Sequence, residues 1–244
     1  MSEIIHNLNI ILRRIEAACI RSLRDPREVK LLLATKTVPA DKIKVALRAG
    51  QTLIAENKVQ EIKEKYENLK DVSHTSHFIG HLQSNKIKEI LKYNITCIQS
   101  LDRLELADKL QQRLEFENRQ IEVLIQVNTS GEQSKFGVHP DSAIELVRQV
   151  SQLSHIKIKG LMTIGLFSAE PDKVRPCFRL LKDIRADIIT QGIPNVDMQE
   201  LSMGMSGDLE TAIEEGATIV RVGTAIFGQR VYADSYYWNE KQVY

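Results

Sequence analysis

The chain has 244 residues, 43% hydrophobic and 27% charged, and its 33 basic residues nearly balance 32 acidic ones for a net charge of +1. A single α/β barrel takes roughly 250 residues, and this composition suits a chain that buries a large core without cross-links. The even charge gives no electrostatic case for nucleic acid or an anionic membrane as partner. From the N-terminus, Ile4, Leu8, Ile11, Leu12, Ile15 and Cys19 recur at helical spacing. They predict an amphipathic helix over 3–24, ended by Asp25-Pro26. The segment lacks the basic start and unbroken apolar run of a signal peptide.

A rhythm then begins. Short strand-like runs at 30–36, 52–57, 77–81, 95–101, 120–128, 156–164, 198–204 and 219–228 each precede a helical segment, except the last. The helical segments are 40–50, 58–70, 85–93, 102–118, 139–153, 174–192 and 206–216, with Asp102 a candidate N-cap. Strict alternation implies parallel strands with right-handed crossovers. Eight units predict an α/β fold, a single (β/α)8 TIM barrel with an extra N-terminal helix. An open doubly wound sheet is the alternative. The expected division is an N-terminal helix region (1–29), a barrel (30–232) and an aromatic-rich tail (233–244). Cys19, Cys97 and Cys177 show neither disulfide nor zinc spacing. No apolar run approaches the roughly 20 residues of a membrane span. A cytoplasmic location is expected.

Barrel function gathers where strands end. Those ends carry Lys36, Asn57, His81, Asn128, Met162, Thr163, the 202–206 segment and the 221–228 segment. A lysine at an apolar mouth is partly desolvated, which favours the neutral amine and nucleophilic attack on an aldehyde. On position alone, a lysine that snorkels or pairs with a carboxylate is the stronger reading. Gly223 and Thr224 after the eighth strand, with Ser206 and Gly207 before a helix, suit an anion cradle after strands seven and eight, whereas Gly204 or Gly207 alone reads as an ordinary turn glycine. Arg221 inside an apolar strand needs an acceptor. A structural ion pair and a donor to a cofactor ring nitrogen both account for it. An aldehyde-binding lysine, a phosphate clamp and a partner for a pyridine nitrogen are what pyridoxal 5'-phosphate (PLP) requires.

The segments ATKTVP (34–39), AENKVQE (55–61), HFIGHLQSNK (77–86), QVNTSGEQSKFG (126–137), FGVHP (136–140), GLMTI (160–164) and LSMGMSGDLETAIEEGATIVRVGTAIFG (201–228) carry a resemblance. The chain resembles the PLP homeostasis proteins, the YggS/PROSC family, related to the N-terminal barrel of alanine racemase. That resemblance implies PLP held as an internal aldimine on Lys36. It implies Ser206, Gly223 and Thr224 on the phosphate and Arg221 facing the pyridine nitrogen. It places Asn57, His81 and Met203 along the pocket. The chain departs from the family at Ser76, at Ile54-Ala55 and at Lys58.

A cationic arginine at the ring nitrogen disfavours its protonation and weakens the ring as an electron sink. Only 229–244 follow the barrel, too few residues for a racemase-type second domain with an opposing base. The expectation is therefore a PLP homeostasis protein without robust turnover, not an enzyme. It would be a monomer, with PLP-dependent apo-enzymes as transient recipients. The alternative is a PLP-dependent racemase or lyase of the alanine racemase-like fold. Cofactor-free Schiff-base chemistry on Lys36 would leave Arg221 without a role.

Overall fold

A computed structural model of the chain describes residues 3–168 and 170–228. Strands β1 (Lys30–Ala34), β2 (Leu53–Glu56), β3 (Thr75–Phe78), β4 (Ile95–Leu101), β5 (Ile121–Gln126), β6 (Ile156–Met162), β7 (Val196–Ser202) and β8 (Ile219–Val222) close into one parallel barrel in sequence order. The closure is direct, with Leu32 of β1 opposite Arg221 of β8 and Leu33 opposite Val222.

Alternation along each strand divides the core. Leu31 and Leu33 join the large cluster between strands and helices, whereas Leu32 packs with Ala55 and Ile219 in a small separate cluster inside the barrel. Cys97, Leu124 and Met162 form a second interior cluster. The helices are α1 (Glu3–Arg21), α2 (Ala40–Arg48), α3 (Val59–Leu69), α4 (Ile87–Ile90), α5 (Leu104–Phe116), α6 (Ala143–Val150), α7 (Pro171–Thr190), α8 (Leu209–Glu214) and α9 (Thr224–Phe227). Leu8, Ile11, Ile15, Ala18 and Cys19 bury one stripe of α1, and it packs on α2, α8 and α9.

Three expectations shift. The third strand runs over 75–78, so His81 belongs to the following loop. Asp102 does not cap α5; Arg103 is the N-cap, without a side-chain bond, and Asp102 accepts from the Arg103 guanidinium. The 219–228 run is two elements. Its strand stops at Val222 and Thr224 opens α9, so the eighth strand also has its helix. The expected tail, 233–244, lies outside the described residues. All three cysteines are free and buried. No helix among the described residues is long and apolar enough to cross a membrane.

Candidate functional site

Lys36 follows β1 by two residues and is half-buried. Its neighbours on both sides are held. Thr35 N–H donates to Ala55 O on β2 at 2.9 Å. Thr37 stands at φ +63°, a left-handed conformation that β-branched residues rarely adopt.

On one flank lies the end of β8. Gly223 follows Val222, and a Cβ built on it would come within 2.7 Å of Ala34 O. The loop after β8 therefore runs against the end of β1, beside Lys36. Thr224 next to it is exposed, as is Gly207, and Ser206 is half-buried. The β7 and β8 ends interlock, since Met203 N–H donates to Ile219 O at 3.1 Å and Arg221 N–H to Gly204 O at 2.9 Å. Met203 itself is fully buried in the large core cluster, so it supports this loop from behind. Arg14 of α1 reaches the same loop, donating to Ser206 O at 3.1 Å and pairing with Glu210 at 2.7 Å.

On the other flank lies Asn57, one residue past β2. It is 5% exposed, and its Oδ1 is buried with no hydrogen-bond partner among the described residues. Gly80 lies against it so closely that a Cβ would sit 1.9 Å from Asn57 O. That contact brings the third loop, with His81, to the mouth. The His81 ring stacks on Phe136 at 3.9 Å and lies 3.7 Å, through Nδ1, from Asp102 Oδ2. Burial raises the Asp102 carboxyl, but the His81 ring and the Arg103 guanidinium outweigh it and hold it below the usual range.

Arg221 points into the barrel and is 5% exposed. Its Nη2 donates to Thr163 O at 2.7 Å and its Nη1 to Ser202 Oγ at 2.8 Å. Ser202 Oγ donates in turn to Gln99 Oε1 at 2.6 Å, and Gln99 Nε2 meets His77 Nδ1 at 2.8 Å. An arginine can only donate. That direction runs through the whole row, so His77 Nδ1 is an acceptor. Burial agrees, pushing His77 down to about 4. Burial also lowers Arg221 to about 10, against the opposing charge of Asp208, which leaves it cationic at neutral pH.

Thus Lys36, Asn57, His81, Ser206, Gly223 and Thr224 gather at one end of the barrel, with Arg221 inside it. Two groups had escaped sequence reasoning. One is the His77–Gln99–Ser202 row behind Arg221. The other is an ion cluster below Lys36, in which Lys65 bonds Glu56 at 2.8 Å and Glu61 at 2.9 Å. Burial raises Glu56 to about 7 although the Lys65 charge opposes it. A lysine on the apolar stripe of α3 was the available signal.

The family model for the N-terminal domain of alanine racemase matches residues 6–231. A curated pyridoxal phosphate homeostasis protein of Aquifex aeolicus is 46% identical over 225 residues, covering 92% of this chain and 97% of that one. The chain belongs to this family. Within the family, a solved structure of PipY from Synechococcus elongatus, described with PLP bound, superposes at a TM-score of 0.77 with 34% identity. The match covers 89% of this chain and all of PipY. The family barrel extends to remote proteins. Alanine racemase of Clostridium difficile superposes at a TM-score of 0.71 with 15% identity, covering 91% of this chain and 57% of the racemase. At that identity the likeness is one of fold alone.

Proposed function

We propose that this chain binds PLP covalently through Lys36 and serves intracellular PLP homeostasis, holding the cofactor and releasing it to apo-enzymes without robust turnover of its own. The observation that carries the reading is the placement of Lys36 between the Gly223–Thr224 loop on one side and the orphaned Asn57 Oδ1 on the other. The names of the relatives point the same way.

The residues present fit the group. Lys36 would hold the cofactor by its aldehyde carbon, through the ε-amine nitrogen. Ser206, Gly223 and Thr224 offer hydroxyls and a backbone free of Cβ for the phosphate. Arg221, fixed by Ser202 and Thr163 O, would present its remaining N–H groups to the pyridine nitrogen. Asn57 Oδ1 and His81 would complete the wall. Bound PLP supplies an electron sink, and a cation at the ring nitrogen keeps that sink weak. Holding is then favoured over carbanion chemistry.

The test is spectroscopic. Purified protein mixed with PLP should develop a long-wavelength imine band, and borohydride should fix the mass of the cofactor on the peptide containing Lys36. Lys36→Ala should show neither. Loaded protein should restore activity to a PLP-dependent apo-enzyme. It should turn over single-enantiomer amino acids well below about 1 s⁻¹. Turnover at or above that rate would favour the racemase or lyase reading.

A further inference from the structure

Lys65 occupies a core position. Val59, Ile62 and Leu69 are the other buried residues of α3. The Lys65 ammonium has three N–H groups and three acceptors: Glu56 Oε1 at 2.8 Å, Glu61 Oε2 at 2.9 Å and Thr35 O at 2.9 Å. The carboxylates reach on in turn. Glu56 Oε1 accepts from the Thr35 hydroxyl at 2.6 Å, and Glu61 Oε2 accepts from Thr37 N–H at 2.5 Å. A buried ion cluster is a poor source of stability, because desolvation offsets the attraction. Its contribution is to be sought in what it orients.

What it orients is the backbone around Lys36. The peptide before Lys36 is tied through Thr35 O to Lys65. The peptide after it is tied through Thr37 N–H to Glu61. Peptide units are planar, so fixing the two that flank one Cα fixes the direction of its Cα–Cβ bond, from which the side chain sets out. The second tie works against a cost, since Thr37 is β-branched and at φ +63°. A turn bond from Val38 N–H to Thr35 O at 2.9 Å spans the same residues. Without the Glu61 tie that bond alone would hold Thr37 at positive φ, and the residue would spend more time at negative φ and turn Lys36 with it.

We propose that the Glu61–Lys65 pair, anchored on Glu56, is a positioning device that aims the Lys36 amine by holding both of its flanking peptides. The proposal deepens the PLP reading and rests on Lys36 as the point of attachment.

The primary variant is Glu61→Ala, which frees Thr37 N–H and leaves Lys65 paired with Glu56. Lys65→Met is the second, which removes the tie to Thr35 O and takes the ammonium partner from Glu61 while leaving the Thr37–Glu61 bond. Two readouts separate this proposal from the reading it rests on. The first is amide hydrogen exchange at Thr37 in the cofactor-free protein. It should accelerate about tenfold or more in Glu61→Ala, and less in Lys65→Met, while the β-strand amides stay protected. The second is the rate of imine formation with PLP, which should fall about tenfold in Glu61→Ala. Glycine adopts positive φ freely. In a Thr37→Gly background the same variant should therefore lose less than about threefold.

A merely structural role would lower the melting temperature without this background dependence. Unchanged Thr37 exchange in folded Glu61→Ala would overturn the proposal, as would equal rate losses in the two backgrounds. If wild type acquires no label on Lys36, the PLP reading fails, and the exchange data alone decide whether the clamp exists.

Discussion

Gly223 has no side chain because the end of β1 leaves no room for one. Its φ of −125° is open to any residue, so conformation is not the reason. The reason is Ala34 O, 2.7 Å from where a Cβ would sit. Gly223→Ala must push the loop after β8 off β1, at a cost of roughly 1–3 kcal/mol. Thr224 and the proposed phosphate cradle would move with that loop. Affinity for PLP is then expected to drop about tenfold. Affinity for pyridoxal, which shares the aldehyde and ring but lacks the phosphate, should change by less than about twofold by the same logic. Parallel titrations with the two aldehydes check this, and an equal loss for both would remove Gly223 from the phosphate site.

At the scale of elements, α1 braces the half of the barrel that carries the proposed cradle. Asn7 Nδ2 donates to Ile226 O of α9 at 3.3 Å and Arg14 holds Ser206 O and Glu210, while Arg24, three residues past the end of α1, donates through Nη1 to Ile213 O and Ala217 O around the end of α8. The Arg14 pair is about one-third exposed and adds little stability. Packing carries the contact instead. Ile11 is 1% exposed, so Ile11→Ala should cost about 2–4 kcal/mol, read as a lower urea midpoint with an unchanged slope. An unaffected midpoint would mean α1 is not part of the cooperative unit. Much of this architecture was legible in the sequence, because eight changes between short apolar runs and helical periods leave few parallel folds. That Lys36 and Gly223 would meet at neighbouring strand ends was legible too, since β1 and β8 are adjacent in the closed barrel; their role as a cofactor site is our proposal. The errors have local causes. HFIGH has strand composition, but Gly80 packs against the Asn57 backbone instead of pairing. TAIF is apolar and β-branched, yet it follows the Gly223 break and forms a helical turn. Lys65 was hidden because KEKY reads as a solvated helix face. His77 and Gln99 were hidden because their meeting depends on the register of β3 with β4, which no single strand encodes.

Across the whole molecule, two buried titrating groups on neighbouring strands act against each other. Burial raises Glu56 from 4.5 to about 7, against the Lys65 charge, so the folded chain keeps a proton that the unfolded chain releases above 4.5. Its effect on stability is most favourable below about 4.5 and declines as pH rises to about 7. His77 does the reverse. Burial lowers it from 6.5 to about 4, and its Nδ1 accepts from Gln99, so the folded chain refuses a proton that the unfolded chain takes up below 6.5. Its contribution is fully present above about 6.5 and is lost as pH falls to about 4. Between about 4.5 and 6.5 the two slopes have opposite signs. Each is near 1.4 kcal/mol per pH unit at most, so wild type should be nearly flat with respect to this pair. Glu56→Gln removes the falling slope, and the stability of that variant should rise with pH across the window. His77→Asn keeps an acceptor for Gln99 but no titration, and its stability should fall with pH instead. The double variant should be flat again, at a lower level. Urea unfolding at several pH values from 4.5 to 7.5 measures all four slopes. Parallel curves for wild type and both single variants would show that neither group titrates as its surroundings require.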